Sequence, residues 1–138
     1  MYFDWKDSFK VDVAEIDRQH MKLFDIGGRI SDLVMADDGY DHYDEIVLIF
    51  EELKNYAIYH FNYEEQLLEQ HGYKDLDTQK IQHMFFIKKL EKIQKSDIDA
   101  NQKETLKNLI TFVYDWISSH ILKSDMAYKE FLKNRGVE

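Results

Sequence analysis

The sequence contains no cysteine and no proline, and only five of its 138 residues are glycine. Without cysteine there are no disulfides and no thiolate ligands, so any metal held by this chain takes nitrogen and oxygen donors. With no proline and so little glycine, long uninterrupted helices are favoured over turn-rich β structure. No apolar run approaches the roughly 20 residues that a membrane-spanning helix requires. The first ten residues, MYFDWKDSFK, are too charged for the core of a signal peptide, and the expected location is cytoplasmic. A formal net charge of −9, with no Lys/Arg-rich patch to offset it, makes nucleic acid and anionic membranes poor partners.

Aromatic residues, by contrast, are plentiful: nine Phe, nine Tyr and two Trp. A chain of this length suits one domain over residues 1–138 that buries roughly 70% of its unfolded surface. The expected fold is all-α. An N-terminal arm over residues 1–13, carrying Trp5, Phe9, Val11 and Val13, is too apolar to hang free and should pack across the helices.

The first helix is expected from Ala14 to Met35, with Ile16, His20, Leu23, Gly27, Ile30 and Val34 on one seam. Gly27-Gly28 inside it implies a close helix approach or a bend. Residues 37–41 read as a turn leading into a second helix, His42 to Gln70, with Ile46, Ile49, Leu53, Tyr56, His60, Glu64 and Leu67 in register. A third runs from Leu76 to Gln94 on Leu76, Gln79, His83, Phe86, Leu90 and Ile93. A fourth follows the turn at 96–100 through Leu106, Leu109, Val113, Trp116 or Ile117, and His120, with Asp125 five residues beyond. A short C-terminal helical segment carries Met126, Tyr128, Phe131 and Leu132, and residues 134–138 should fray. His42 and His71 lie off the seams and read as capping or surface residues.

Four long helices joined by short turns form an up-down-up-down bundle. His20 stands near the start of the first helix, His60 and Glu64 near the end of the second, Gln79 and His83 near the start of the third, and His120 near the end of the fourth. In alternating helices these are all the same end, so the polar seam residues fall in one layer at about 1.5 Å rise per residue. An isolated His-x-x-x-Glu such as His60/Glu64 is usually a satisfied histidine beside a solvated carboxylate. Four imidazoles and two carboxylates buried together are different, because they need a compensating charge. The set exceeds what one tetrahedral zinc uses and favours two octahedral first-row ions, iron foremost, bridged by Glu64 and Asp125. A ferritin-like carboxylate site would need Glu-x-x-His on two helices, and the sequence has none.

These motifs resemble those of the hemerythrins, specifically the single-domain bacterial kind, over nearly the whole chain. The likeness rests on Ile16-Asp17-Arg18-Gln19-His20, on His60-Phe61-x-x-Glu64-Glu65, on His83 with Phe86, and on Trp116-Ile117-x-x-His120-Ile121 with Asp125 behind. The resemblance implies that His20 and His60 bind one iron, that His83 and His120 bind the other, and that Glu64 and Asp125 bridge the two. It also implies a dioxygen pocket lined by Ile117 and Ile121. In that family the third helix carries His-x-x-x-His, whereas this chain has Gln79 before His83. Gln79 therefore either ligates through its amide oxygen or leaves its place to water. Asp12 stands where the family usually has glycine, and Lys74 where it has proline.

Three functions are compatible with this reading. The first is reversible dioxygen binding at an oxo- or hydroxo-bridged diiron centre for storage, delivery or sensing, with signalling left to a separate partner. The second is a diiron enzyme reducing peroxide or nitric oxide with electrons from a redox partner, favoured by the weaker donor at Gln79. The third is iron storage or a mononuclear site.

Overall fold

Five α-helices carry the structure, a computed structural model that describes residues 3–36, 39, 42–95 and 102–138, the side chains of residues 34 and 35 excepted. They are α1 (Ala14–Met35), α2 (Tyr43–Gln70), α3 (Leu76–Gln94), α4 (Gln102–His120) and α5 (Met126–Lys133). A 3₁₀ turn at Asp7–Phe9 precedes them, and a π-helical turn at Ile121–Asp125 joins α4 to α5. Among the described residues there is no strand, and no helix is long and apolar enough to cross a membrane. The expected turns at 37–41 and 96–100 lie outside the described residues, Gly39 excepted.

α1 to α4 pack as a four-helix bundle in which α2 lies against α1 and α3, and α4 closes the ring against α3 and α1. The start of α1 meets the end of α2, and the start of α3 meets the end of α4, as the alternating up-and-down course requires. Local signals set the helix ends. α1 opens with Glu15 and Asp17 in its first turn, where carboxylates complement the helix dipole, and Asp17 Oδ1 accepts the backbone N–H of Val11 at 2.8 Å. α2 ends in a Schellman motif. Gly72 takes φ 71°, its N–H donates to the Glu69 carbonyl, and the Tyr73 N–H donates to the Leu68 carbonyl at 3.0 Å.

Two apolar clusters sandwich the polar layer. One contains Leu23, Phe24, Ile30, Phe50, Leu53, Phe61, Phe86, Leu109, Val113, Ile117 and Ile121. The other contains Val11, Val13, Ile16, Leu68, Tyr73, Tyr128 and Leu132. Three of the candidate ligands sit between one cluster and the other along the chain: His20 between Ile16 and Leu23, Glu64 between Phe61 and Leu68, Asp125 between Ile121 and Tyr128. The bundle thus places a water-poor environment on both sides of the polar side chains.

Three local expectations change. The close approach at Gly27 comes from the N-terminal arm, not from another helix. A Cβ there would stand 2.4 Å from the Phe3 ring, which also packs edge-on against Tyr114. In α2 Ile46, Leu53, His60 and Glu64 are buried as expected, but Phe50, Ala57, Phe61 and Leu68 complete the buried face, while Ile49, Tyr56 and Leu67 are half-buried. The tail does not trail away from α5. Gly136 takes φ 76° and the Val137 N–H donates to the Leu132 carbonyl at 3.0 Å, with Val137 packed on the second cluster.

Candidate metal centre

Four helices and the π turn each deliver side chains to one point. His20 comes from α1, His60 and Glu64 from α2, Gln79 and His83 from α3, His120 from α4 and Asp125 from the π turn; all seven are buried. The i, i+4 spacing puts His60 Nε2 3.6 Å from Glu64 Oε2 on one helix face. His120 and Asp125 are five apart, which an α-helix would splay around its axis. The wider π turn brings them together, with His120 Nε2 3.2 Å from Asp125 Oδ1.

Glu64 stands at the middle. Its Oε2 lies 3.8 Å from His20 Nε2, and its Oε1 lies 2.9 Å from His83 Nε2 and 4.0 Å from His120 Nε2. Asp125 spans the same two pairs through its other oxygen, with Oδ2 3.2 Å from His20 Nε2. Two sets of donor atoms close enough to share a cation result, His20/His60/Glu64 and Glu64/His83/His120, with Glu64 common to both.

The histidines are oriented from behind. His60 Nδ1–H donates to Gln19 Oε1 at 2.7 Å, and Gln19 is fixed in turn by its Nε2 donating to Glu15 at 3.0 Å. His83 Nδ1–H donates to Glu65 Oε2 at 2.8 Å. Each bond turns Nε2 toward the cluster, the ring orientation that a cation uses. Phe61 stacks on the His83 ring at 4.0 Å and Trp116 on the His120 ring at 4.5 Å.

Electrostatics follows from burial and from the pairing of charges. Burial pushes His60 down to about 3 and outweighs the Glu64 carboxylate. Burial also opposes charge on His120, but Asp125 and Glu64 overcome it and raise the imidazole to about 10. Burial and the Glu64 charge disfavour the Asp125 carboxylate, yet the facing histidines hold it at about 2, and Glu64 likewise lies well below the usual carboxylate range. Glu64 Oε1 and Asp125 Oδ2 are buried facing only imidazole nitrogens, and Gln79 Oε1 is buried without a hydrogen-bond partner. Unpaired buried oxygens carry a full desolvation penalty, so this donor set of imidazoles and carboxylates without thiolate fits cations held between its two halves.

Residues 11–132 match the Hemerythrin HHE cation binding domain. The chain belongs to the hemerythrin family. Among similar proteins, the bacteriohemerythrin of Clostridium acetobutylicum is 41% identical over 126 residues, which cover 91% of this chain and 98% of that protein. The bacteriohemerythrin of Pseudomonas aeruginosa strain LESB58 is 27% identical over 94% of this chain and 81% of its own. The myohemerythrin of Theromyzon tessulatum is 25% identical over 92% and 91%.

This hemerythrin-family chain brings all seven sequence-selected residues into one layer. Ile117 and Ile121 line a narrow cavity with Leu23, Phe61 and Trp116 that reaches His20, His60 and His120. It has room for about one water-sized molecule. Gln79 is 2% exposed, and its Nε2 donates to Asp125 Oδ1 at 3.1 Å. Its carboxamide therefore lies on the His120 side of the cluster. His42 and His71 flank α2 as its end residues, away from the centre.

Three supporting residues carried no role in the sequence reading. Gln19 and Glu65 are adjacent to His20 and Glu64 in the motifs, and that adjacency is their one sequence signal; Gln19 is buried and Glu65 half-buried. Tyr128 had been read only as part of an apolar segment, but its hydroxyl donates to Glu64 Oε2 at 2.8 Å.

Proposed function

We propose that this hemerythrin-family protein holds two iron ions in its polar layer and binds dioxygen reversibly, for storage, delivery or sensing. His20 and His60 hold one ion, His83 and His120 the other, and Glu64 and Asp125 bridge them. The supporting observation is the sharing of Glu64 between two buried histidine pairs, with Asp125 at 3.2 Å from a histidine of each. An iron pair held by these residues would supply the electrons that dioxygen needs to be held. That ligand is small and apolar, as the cavity beside Ile117 and Ile121 requires.

The chain's own residues do the rest. Gln19 and Glu65 fix the imidazole tautomers, and Tyr128 holds one Glu64 oxygen by donating to it. Burial and the Asp125 and Glu64 charges keep the Tyr128 hydroxyl protonated, so it stays a donor. Leu23, Phe61, Trp116 and the two isoleucines exclude water and protons from the dioxygen side. Gln79 offers an amide oxygen, or the place of a water, where the family has a further histidine.

A second reading, reduction of peroxide or nitric oxide with electrons from a redox partner, is favoured by one observation, the unpartnered oxygen of Gln79. Iron analysis of reconstituted protein should give two irons per chain, and a reproducible value of one or less would refute the dinuclear reading. An anaerobic ferrous sample exposed to air then separates the functions. A persistent new visible spectrum supports dioxygen binding, whereas immediate conversion to the fully oxidised spectrum supports the enzyme.

A further inference from the structure

A cleft of about 280 Å³ opens where α3 begins and α5 leaves the π turn. Its walls are Tyr73, Thr78, Gln79, Lys123, Ser124 and Ala127, none of which lines the cavity beside Ile117 and Ile121. Gln79 joins the two regions. It forms part of this cleft, and it also donates from Nε2 to Asp125 Oδ1 inside the polar layer at 3.1 Å. Its Oε1 has no partner although the residue is only 2% exposed.

An amide oxygen has two lone pairs and no hydrogen, so it is satisfied by a cation or by a hydrogen-bond donor. Dioxygen has no hydrogen to give, whereas a small hydroxylic molecule does. Lys123 and Asp75 border the cleft with opposite charges, so neither anions nor cations are selected and a neutral ligand suits it. Tyr73, Thr78, Lys123 and Ser124 bring polar side chains to its lining, in contrast to the apolar side chains beside Ile117 and Ile121. We propose that this cleft is a polar port through which water and hydrogen peroxide reach Gln79 and the His83/His120 side of the centre, separate from the apolar route for dioxygen. The peroxide part rests on the diiron reading above.

Ala127 is exposed on the first turn of α5 and is not itself a candidate ligand, so Ala127→Phe fills the cleft while every candidate ligand is retained. Two readouts test the port. In zinc-loaded protein, exchange of the Gln79 carboxamide protons with solvent, followed by NMR, should slow about tenfold in the variant, a barrier rise of ~1.4 kcal/mol. In diferrous protein of verified iron content, stopped-flow oxidation by hydrogen peroxide should slow by a similar factor while the rate with dioxygen is unchanged. Unchanged proton exchange and peroxide rate would overturn the port. Equal slowing with peroxide and dioxygen would overturn the separation of routes, and slowed exchange with an unchanged peroxide rate would overturn peroxide as its ligand. Wild-type protein that holds fewer than two irons counts against the diiron reading instead, and the zinc-loaded exchange still decides whether water enters here.

Discussion

Tyr128 donates its hydroxyl proton to Glu64 Oε2 at 2.8 Å from a position 64 residues further along the chain, and both side chains are fully buried. The bond ties α5 to the end of α2 and leaves Glu64 Oε1 facing His83. A phenol in this position restrains the carboxylate on which both histidine pairs converge. The C-terminal helix therefore acts on the centre without contributing a ligand.

Tyr128→Phe keeps the ring and its packing against Tyr73 but leaves the buried carboxylate oxygen without this donor. Loss of a hydrogen bond to a charged group should cost ~1.5–3 kcal/mol of stability. Loss of an outer partner of a ligand should weaken metal retention by roughly tenfold or more. Denaturant titration and competition with a chelator read the two effects separately. Unchanged values for both would mean that Glu64 is positioned by its histidines alone.

Stability of the metal-free protein should peak near pH 6.5 and fall on either side. His60, Glu64 and Asp125 have folded values below their ordinary ones, so the unfolded chain binds more protons there, and stability is lost as pH falls from about 6.5 through about 3. His120 and His83 are raised, so the folded chain holds protons that the unfolded one releases. Their contribution is complete below about 6.5 and is lost as pH rises, for His120 toward about 10. Binding of metal to the folded state alone adds stability by mass action, so loaded protein should melt higher at neutral pH. Melting curves from pH 4 to 10, with and without metal, check both statements. A metal-free profile that rises steadily to pH 9 would contradict the assignment of His120.

Asp12 takes φ 62°, the left-handed region that costs an ordinary L-residue roughly 1–2 kcal/mol. The residue offsets little of this, because its ion pair with Lys129 at 3.2 Å is exposed. Asp12→Gly should therefore raise stability by ~0.5–1 kcal/mol, whereas Asp12→Ala, which keeps the Cβ and loses the polar group, should lower it. Opposite signs in paired thermal melts are the expected outcome. Equal losses would show that the ion pair matters more than the backbone.

The position that looked like a neutral departure in the sequence is thus a backbone requirement, visible only once φ is known. Periodicity located α1, α3 and the polar layer because their seams have few apolar competitors. In α2 it was ambiguous. Ile49 and Phe50, Tyr56 and Ala57, and Leu67 and Leu68 are neighbouring pairs, each of which satisfies a three-or-four spacing. Packing selected the second of each pair. Asp125 was found from its motif, but its five-residue interval from His120 makes sense only with the π turn, which no local propensity announces. Gln19, Glu65 and Tyr128 were missed because their partners lie 41, 18 and 64 residues away. Hydrogen-bond partnership at that range is a property of the packed bundle.

Gln79 offers the most direct test of how the centre is tuned. Its Nε2 is engaged by Asp125 Oδ1, and its Oε1 is buried and unpartnered one helical turn before His83. A carboxamide oxygen is a weaker donor to iron than an imidazole nitrogen, so the ion beside His83 and His120 should exchange more readily than its neighbour. Gln79→His supplies the stronger donor from the same helix position, and it should make the spectrum formed on exposure to air persist longer and slow peroxide turnover. Gln79→Ala removes both the amide oxygen and the hydrogen bond to Asp125. It should keep two irons or lose part of the one beside His83, without lengthening that lifetime. The decisive comparison is between the two variants, because both remove the carboxamide and only one replaces it with a ligand. If Gln79→His leaves both the spectral lifetime and the peroxide rate at wild-type values, the glutamine does not tune the iron pair, and simple dioxygen binding is the reading that remains.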